Sequence, residues 1–266
     1  MRKLYSTGVS GTIGKHLPTS VNPIKLDLSS EKKIFSGLIF ESNSNLLHLA
    51  GVVGPSEVLK NIDYARSVNI EGTRHLAQEF IKKCDGVFYY VSTSHVYSPS
   101  NELIAETNPV SPASIYAEQK LEAETLLQEL FELEPDRLCI IRVFSVLDWD
   151  VAPFTLGGAI RKLIDSDFSL SNSSDVRDFL TPRTIGTALH EIATGPFQSG
   201  IINLCSGLGI SVGEAAKRML RESGFEVDVN KLSWDSGPNP YVVGDNSRLK
   251  LMYPNLNLSW EPSTLN

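Results

Sequence analysis

The sequence predicts an α/β protein with a doubly wound parallel sheet, which is shortened in its first half and is followed by a small C-terminal α+β lobe. Three observations lead to this fold class. A glycine-rich turn follows the first short strand, buried apolar strands alternate with helical patterns up to about residue 146, and the alternation is lost after residue 147. With 266 residues and 41% hydrophobic content, the chain can bury a large core.

Composition narrows the possible partners and the compartment. The formal net charge is −7 and the basic residues are scattered, so neither nucleic acid nor a membrane is expected as a partner. Cys84, Cys139 and Cys205 are widely separated, which suits reduced thiols better than a disulfide framework. No metal-ligand cluster and no long apolar segment near the N-terminus are visible in the sequence. We therefore expect a cytoplasmic protein without a metal site.

The first element is a short strand at residues 4–7, followed by a glycine run with Gly8, Gly11 and Gly14. In a nucleotide-binding βα unit the first glycine permits a tight turn, the second lets backbone amides approach a pyrophosphate, and the third lets the helix pack on the strand. A helix is expected to open at about Thr12, where its N-terminal amides favour phosphate charge. Pro18 should stop this helix after barely one turn.

The next stretch departs from a complete βαβ unit. Residues 19–23 have loop chemistry, residues 24–28 are predicted as a strand, and a helix is predicted over 32–40. Asp27 has two possible roles in this arrangement. It could end a second strand and hold the adenosine ribose, or it could end a third strand and bond the adenine amino group, in which case the second strand is missing.

A buried strand is predicted over residues 45–51, and a long helix over residues 61–83. The strand ends in small residues, as expected where it meets a bound cofactor, and its His48 is interpreted as a core histidine. Asn69 lies between apolar neighbours in the helix, so its amide needs partners. We expect it to fix a local kink or to hold a water or a backbone group in an active site.

Residues 87–91 form the clearest predicted strand, which ends in a cluster of hydroxyl residues and a histidine, with Thr93, Ser94 and His95 among them. Ligands of open parallel sheets bind beyond the carboxyl ends of the strands, so this cluster is placed to hydrogen-bond a substrate oxygen. A helix cap or a hydroxyl turn is the alternative use of one of these side chains.

Tyr116 and Lys120 are four positions apart in a helix predicted to run to about residue 132. This spacing places both side chains on one helix face. A phenol has a reference pKa of about 10, and a fixed ammonium group beside it lowers that pKa toward neutrality. The pair could therefore supply a proton donor and acceptor together with the charge that tunes it.

The remaining chain returns to the sheet and then leaves it. We predict strands at 138–144, 176–180 and 200–205, and helices at 159–164, 184–194 and from about residue 211, before a proline-rich tail after Trp234. The expected dinucleotide-binding unit comprises residues 1–146 with returning segments at about 180–205. The expected substrate-binding lobe comprises about 147–179 and 206–266.

Taken in order, these features resemble the extended short-chain dehydrogenase/reductase family of the NAD-dependent epimerase/dehydratase type, which includes nucleotide-sugar epimerases, dehydratases and 4-ketoreductases. The family has a Rossmann-like fold, and the resemblance covers nearly the whole chain. It depends on the glycine run, Asp27-Leu28, His48-Leu49-Ala50-Gly51, Asn69 with Gly72-Thr73, residues 93–97, Tyr116 with Lys120, Arg142-Val143-Phe144 and Arg177-Asp178-Phe179.

The resemblance implies roles for individual residues. Thr93, Tyr116 and Lys120 would be catalytic, and Ser94, His95 and Arg177 would contact the substrate, with Arg177 at its diphosphate. Asp27 would take the adenine role, and Asn69 would support Lys120 through water. The implied NAD(P)-binding residues are Gly8, Gly11, Thr12, Ile13, Gly14, Asp27, Leu28, Leu49, Ala50, Gly51, Asn69, Tyr116 and Lys120. NAD and NADP are not distinguished, although Lys15 or His16 could meet a 2′-phosphate.

Two departures from the family bear on the reaction. Ser94-His95 replaces the acidic pair that sugar dehydratases use to eliminate water, and Ser145 replaces an asparagine. A 4-keto-sugar reductase or a 4-epimerase acting on a nucleotide sugar is therefore expected, with His95 as a possible second acid. The alternative is a non-catalytic NAD(P)-binding sensor or scaffold. By the same resemblance, the helices at 61–83 and 116–132 would pair in a homodimer through a four-helix bundle.

Overall fold

The computed structural model describes residues 2–29, 35–153, 155–165, 168–196, 199–226, 228–233 and 240–265. Within these ranges, no helix combines the length and apolarity needed to cross a bilayer. The strands, in chain order, are β1 (Lys3–Thr7), β2 (Asn22–Pro23), β3 (Ser44–His48), β4 (Phe88–Thr93), β5 (Leu138–Val143), β6 (Ser145–Val146), β7 (Val176–Leu180), β8 (Gly200–Leu204), β9 (Gly209–Ser211) and β10 (Tyr241–Val242).

The α-helices flank these strands. They are α1 (Pro55–Lys60), α2 (Ile62–Arg66), α3 (Thr73–Lys83), α4 (Ile115–Leu130), α5 (Leu156–Asp165), α6 (Pro182–Thr194), α7 (Val212–Glu222) and α8 (Ser247–Met252). A π-helical segment, Ser67–Gly72, joins α2 to α3. The predicted helix over 61–83 therefore exists, and Asn61 caps its α2 part by accepting from the amide of Tyr64 at 3.0 Å. Its centre is widened at Asn69 rather than regular.

The main sheet confirms the predicted doubly wound parallel fold. It has six strands in the order β2-β1-β3-β4-β5-β8, and each neighbouring pair is parallel. The chain extends from β1 to one side through β2 and to the other side through β3. The strand order thus reverses beside β1, and the crevice beyond the carboxyl ends of β1 and β3 is where such sheets bind ligands.

The two faces of this sheet bury separate cores. One face packs Leu4, Tyr89 and Ile141 with Leu189 of α6 and Leu249 of α8. The other face packs strand residues such as Leu46, Phe88 and Ile140 against apolar side chains of α3 and α4. Side chains alternate along each strand, so the near-continuous apolar runs in the sequence follow from burial on both faces.

The first half of the sheet differs from the sequence prediction. The predicted strand at 24–28 is wrong, because pairing with β1 is limited to β2 and to the amide of Ile24, which donates to Ser6 O at 2.7 Å. Since β2 lies directly beside β1, it occupies the place of a second strand. The interpretation of Asp27 as the end of a third strand is therefore also wrong, and no strand lies outside β2 in the described ranges.

Packing explains this early end of the strand. Leu28 is buried, and its carbonyl lies so close to Gly72 that a Cβ there would be 2.4 Å from Leu28 O. The chain thus turns away from the sheet to cover the π-helical segment. In the helix predicted over 32–40, residues 32–34 lie outside the described residues; Phe35 is helical and a turn follows it, so the helix does not reach Phe40.

The second sheet belongs to the C-terminal part of the chain. Its strands run in the order β10-β7-β6, and β9 pairs antiparallel with β7. Trp149, Phe179, Met219 and Trp260 contribute to its core with α5 and α7. The predicted helices at 159–164 and 184–194 lie within α5 and α6, and Ser211 caps α7 by accepting from the amide of Glu214 at 3.2 Å. Of the predicted tail, residues 234–239 lie outside the described residues.

Candidate active site

A cleft of about 760 Å³ lies at the carboxyl edge of the main sheet. One wall is the glycine turn after β1 and the loop after β3, and the other includes residues of β4, α4 and β7. Its polar lining includes Thr93, Tyr116, Lys120 and Arg177. The chain thus brings together residues that are far apart in the sequence.

Close backbone packing forms the glycine turn. Gly8 has φ +71°, and a Cβ on it would lie 2.6 Å from Ala50 N. A Cβ on Gly14 would lie 2.0 Å from Gly8 O, whereas one on Gly11 would lie 3.2 Å from the same oxygen. Gly8 and Gly14 therefore close the turn, and Gly11, Thr12 and Ile13 line the cleft with them. Because no side chain fills this cradle, it fits the pyrophosphate of a dinucleotide.

The helix after the glycine turn is short, as the sequence predicts. It is a 3₁₀ turn at Gly14–His16, and Leu17 and Pro18 follow it. Lys15 forms an ion pair with Asp150 at 2.6 Å, and His16 lies 3.8 Å from the same carboxylate. The two cations considered for a 2′-phosphate therefore face a carboxylate of the 147–153 loop. Burial lowers the pKa of His16, and Lys15 lowers it further.

A hydrogen-bond chain joins the carboxyl ends of β1 and β3 to the π-helical segment. His48 lies 2.7 Å from Thr7 Oγ1 through Nδ1 and 2.9 Å from Thr73 Oγ1 through Nε2. Thr73 donates its hydroxyl to Asn69 O, so His48 Nε2 must carry the proton and Nδ1 must accept from Thr7. Burial lowers the pKa of His48 to about 3, so the ring is neutral. This agrees with its interpretation as a core histidine.

Asn69 fixes the loop after β3 against α4. Its Oδ1 accepts from the amide of Val52 at 2.8 Å, and its Nδ2 donates to Val52 O at 3.1 Å and to Gln119 Oε1 at 3.0 Å. The π-helical turn aims this amide into the protein. The expectation of a local kink with backbone partners is met, and Leu49, Ala50 and Gly51 of the same loop line the cleft beside it.

Tyr116 and Lys120 lie on the face of α4 that packs against β4. The helix begins after Ser114, whose Oγ accepts from the amide of Ala117 at 3.2 Å. Tyr116 is buried, and the Thr93 side chain lies beside its phenol. Lys120 Nζ donates to Val91 O at 2.7 Å and lies 4.0 Å from the centre of the Tyr90 ring. The predicted catalytic trio is therefore assembled.

The electrostatics of this pair differ from the expectation. Burial raises the pKa of Tyr116 to about 12, although the nearby Thr93 hydroxyl opposes this. Burial also lowers the pKa of Lys120 to about 7, opposed by the charge of Glu124. The expectation that Lys120 brings the pKa of Tyr116 below its ordinary value is thus wrong. The reason is desolvation, which disfavours the charged form of each group.

A buried ion pair between Glu124 and Arg142 lies one helical turn beyond Lys120. It is not among the features predicted from the sequence. Glu124 Oε2 accepts from Arg142 Nη2 at 2.6 Å, and Ser92 Oγ donates to Glu124 Oε1. Both side chains of the pair are almost completely buried, at 4% and 2% exposure. A signal was available, because Tyr116, Lys120 and Glu124 repeat at intervals of four residues and therefore share one helix face.

Of the three residues predicted to contact the substrate, Arg177 and His95 line the cleft and Ser94 does not. Arg177 lines the cleft and pairs with Asp175 at 2.9 Å. The His95 ring lines it too, 6.2 Å from the Tyr116 ring, and its pKa is lowered by partial burial and then by Arg177. Ser94 is buried outside the cleft lining, and its hydroxyl has no hydrogen-bond partner among the described residues.

Asp27 and Leu28, predicted at the adenine, also lie outside the cleft lining. Asp27 is exposed and accepts from the amide of Ser29 at 2.9 Å and from the Ser29 hydroxyl at 2.7 Å, which lowers its pKa. Its carboxylate therefore closes a local turn. Leu28 packs on the π-helical segment, as described above. An adenine role for either residue remains a prediction.

The fold and the glycine cradle define a class, the dinucleotide-dependent enzymes with an open parallel sheet. The sequence profile of the NAD dependent epimerase/dehydratase family matches residues 21–180, which is more than half of the chain. The chain therefore belongs to the NAD dependent epimerase/dehydratase family. This confirms the resemblance, and with it the expectation of an NAD(P)-dependent enzyme of the extended short-chain dehydrogenase/reductase type.

Similar proteins agree with this assignment. GDP-6-deoxy-D-mannose reductase of Pseudomonas aeruginosa is 27% identical over 229 residues, which cover 77% of this chain and 75% of that protein. UDP-glucose 4-epimerase 2 of Oryza sativa subsp. japonica is 21% identical over 233 residues, covering 76% and 56%. The structure of RMD from Pseudomonas aeruginosa complexed with NADPH has the same fold, with a TM-score of 0.81 at 23% identity and coverage of 100% and 93%.

Proposed function

We propose that the chain is an NAD(P)-dependent nucleotide-sugar oxidoreductase or epimerase, and most specifically a 4-keto-sugar reductase or a 4-epimerase. The observation that carries this proposal is the convergence of Thr93, Tyr116 and Lys120 on one wall of a cleft whose other wall is the glycine cradle. A protein that only binds a dinucleotide has no need of all three. The similarity to a sugar-nucleotide reductase and a sugar-nucleotide epimerase supports the substrate class.

The roles of the trio follow from their contacts. A bound nicotinamide supplies or accepts the hydride. Tyr116 exchanges the proton of the sugar oxygen, and Thr93, which lies beside that phenol and also lines the cleft, holds the same oxygen. Lys120 contributes positive charge beside the phenol and a donor for the nicotinamide ribose. With a pKa of about 12, Tyr116 keeps its proton at neutral pH, so it is prepared to donate to a ketone oxygen as it gains negative charge.

The wall that carries the trio also has groups suited to a charged substrate. Arg177 presents a guanidinium to the cleft, and this group suits the geometry of a diphosphate. His95 is placed within reach of the same space and serves as a second polar contact or acid. Because Ser94 and His95 stand where dehydratases carry two acidic residues, the chain lacks the groups needed to eliminate water, and dehydration is not part of the proposal.

The proposal is tested by turnover assays with the purified protein. It is incubated with NADH or NADPH and a panel of nucleotide-linked 4-keto-6-deoxy sugars, and separately with nucleotide sugars whose 4-epimers are distinguishable. A reductase oxidises the reduced cofactor in proportion to the product formed. An epimerase interconverts sugars while its cofactor shows no net change. For either reaction, we expect Tyr116→Phe to lower kcat/KM by about 10²- to 10⁴-fold while cofactor binding persists.

Tyr64→Phe is the matched control, because Tyr64 is 49% exposed on α2 and does not line the cleft. It should retain the wild-type rate. If the protein binds NAD(P)H but neither wild type nor Tyr116→Phe turns over any sugar in the panel, the enzyme proposal fails. The non-catalytic sensor or scaffold would then be favoured, and the shortened first half of the sheet already agrees with such a role.

We also propose a homodimer in which two helices of each copy, the long helix made of α2, the π-helical segment and α3, and the helix α4, form a four-helix bundle with the same two helices of the second copy. Ile62 and Tyr64 on α2 are 41% and 49% exposed, and the Arg66–Glu122 ion pair joins α2 to α4 on the protein surface. Light scattering at micromolar concentration tests the assembly, and a monomer mass would contradict it.

The division of the chain and its compartment are further parts of the proposal. Residues 1–146 with about 180–205 would form the dinucleotide-binding unit, and about 147–179 with 206–266 the substrate-binding lobe. The separate core around Trp149 and Trp260 supports this division. All three cysteines are buried and free, which supports a reducing compartment such as the cytoplasm. A single cooperative unfolding transition of the whole chain, with no fragment of either unit surviving limited proteolysis, would argue against two units.

A further inference from the structure

The face of α4 that carries Tyr116 contacts three consecutive residues of β4. Tyr116 lies beside Thr93, Lys120 Nζ donates to Val91 O at 2.7 Å, and Glu124 accepts from Ser92 Oγ. The three helix residues are spaced about one turn apart, so they share one face of α4. Only the first two have a role in the proposed reaction, and the third is a carboxylate with no contact to the cleft.

Glu124 is held in a fixed place by polar groups. Arg142 donates Nε to both carboxylate oxygens at 3.2 Å and Nη2 to Oε2 at 2.6 Å. Arg142 lies directly opposite Ser92 in the β4–β5 register, so one rung of the sheet supplies both of the carboxylate's donors. The guanidinium also lies 4.6 Å from the centre of the Tyr97 ring. These contacts fix the carboxylate one helical turn from Lys120, on the same face of α4.

Apart from Glu124, the groups around Lys120 that favour its positive charge are uncharged ones, the Val91 carbonyl and the Tyr90 ring. The titratable groups that face it are neutral His48 of β3, Tyr90 of β4 and neutral Tyr116 of α4, with Arg142 of β5 beyond Glu124. The Val91 carbonyl and the Tyr90 ring are its direct contacts. Burial therefore disfavours the ammonium form, and the Glu124 charge opposes this effect.

We propose that Glu124 is a positioning residue that keeps Lys120 in its charged form, and that Arg142 and Ser92 hold the carboxylate where it can do so. The consequence for catalysis rests on the proposed function, because Lys120 can stabilise negative charge on Tyr116 by its own charge only as an ammonium. The effect of Glu124 on the protonation of Lys120 does not depend on any substrate. It can therefore be measured even if the reaction class proves wrong.

The test measures the protonation of Lys120 directly. Protein labelled with ¹³C and ¹⁵N in lysine is titrated by NMR from about pH 5 to about pH 10, and the Lys120 signal is assigned by its loss in Lys120→Met. Glu124→Gln should lower the protonation midpoint of Lys120 by about one pH unit or more. Glu79→Gln is the matched control, because Glu79 is a buried carboxylate on α3 that pairs with Lys82 and Lys83. It should leave the midpoint unchanged.

Removing Glu124 alone leaves Arg142 buried and unpaired, which is strongly destabilising, so a double variant is needed. Glu124→Gln combined with Arg142→Met removes both charges and should recover most of the stability. We expect its Lys120 midpoint to remain below that of the wild type. A wild-type midpoint in the folded double variant would overturn the proposal and would leave the pair with a purely structural role.

Kinetics then connect the charge to the reaction. If a substrate is found, the alkaline limb of the kcat/KM profile should move to lower pH in the double variant by the same amount as the NMR midpoint. An unmoved limb would show that Lys120 protonation does not limit the reaction, which contradicts the positioning role. Absence of turnover in the wild type would instead count against the proposed function alone, since the NMR result stands without it.

Discussion

The two walls of the cleft are built in different ways. On the cofactor wall, the glycine turn leads into a three-residue 3₁₀ turn and then a two-residue strand. On the catalytic wall, the sixteen-residue helix α4 lies against a six-residue strand, β4. The first wall is shaped by backbone atoms in close contact, and the second by buried side chains with specific partners. The short elements thus lie on the wall that backbone shape defines, and the long elements lie on the wall that side-chain contacts define.

This difference has a physical basis. Backbone amides can meet a phosphate from any turn of the right shape, so the helix behind that turn can be reduced. A phenol, an ammonium group and a hydroxyl must instead be held together within hydrogen-bond reach, which requires rigid elements behind each of them. The two walls should therefore respond differently to substitution.

The largest effect is expected from Gly14→Ala on the cofactor wall. Its Cβ would lie 2.0 Å from Gly8 O, a backbone atom that cannot move without opening the turn. We expect the free energy of unfolding without cofactor to fall by about 3 kcal/mol, as measured by urea denaturation. Gly11→Ala is the control, because its Cβ would lie 3.2 Å from the same oxygen and needs only a small shift. Equal losses for the two variants would refute close backbone packing as the cause.

Asn69→Ala removes the contact that joins the two walls. It leaves the Val52 amide and the Gln119 side chain without their present partner, so we expect a stability loss of about 2 kcal/mol and weaker NAD(P)H binding. Asn45→Ala is matched to it, since Asn45 is also buried and bonds Val87 N at 3.0 Å and Ala193 O at 2.8 Å, away from the cleft. It should lose similar stability but keep cofactor affinity. A similar loss of affinity in both variants would mean that Asn69 acts only through global stability.

Lys120 makes the catalytic wall sensitive to pH. Its pKa is about 7 in the folded protein and has the ordinary value of 10.5 when unfolded. The unfolded state binds more protons between these values, so this group should increase stability with rising pH by up to about 1.4 kcal/mol per unit. Lys120→Met should remove that slope between about pH 7 and about pH 9 in urea denaturation without cofactor. Lys60→Met, at an exposed residue, should retain it; an unchanged slope in Lys120→Met would contradict the lowered pKa.

The smallest effect is expected at the surface of the cofactor wall. Lys15 pairs with Asp150, which is 62% exposed, so Lys15→Ala should change stability by less than about 1 kcal/mol. Because this pair engages the lysine, we also expect the ratio of NADPH to NADH affinity to stay within about threefold of the wild type by fluorescence titration. A selective loss of NADPH affinity would show that Lys15 leaves Asp150 to meet the 2′-phosphate.

Much of the fold was readable from the sequence. The strands with continuous apolar runs and the helices with clear caps were found within a few residues, because burial pattern and capping are local properties. The strand at 24–28 was misplaced, and the neighbouring helix ends before its predicted limit at Phe40. Nothing local indicated that β2 would end at Pro23 or that Leu28 would be drawn onto Gly72.

By itself the sequence determined the order of elements, the glycine turn and the shared face of Tyr116 and Lys120, since periodicity and turn chemistry depend on neighbours in the chain. Only the tertiary structure decided the place of β2, the partner of Lys15, the backbone contacts of Asn69 and the pairing of Glu124 with Arg142. Each of these joins segments that are remote in sequence, and the resulting burial also set the pKa values of Tyr116 and Lys120. Desolvation is a property of the packed protein, so no spacing of residues could have revealed it.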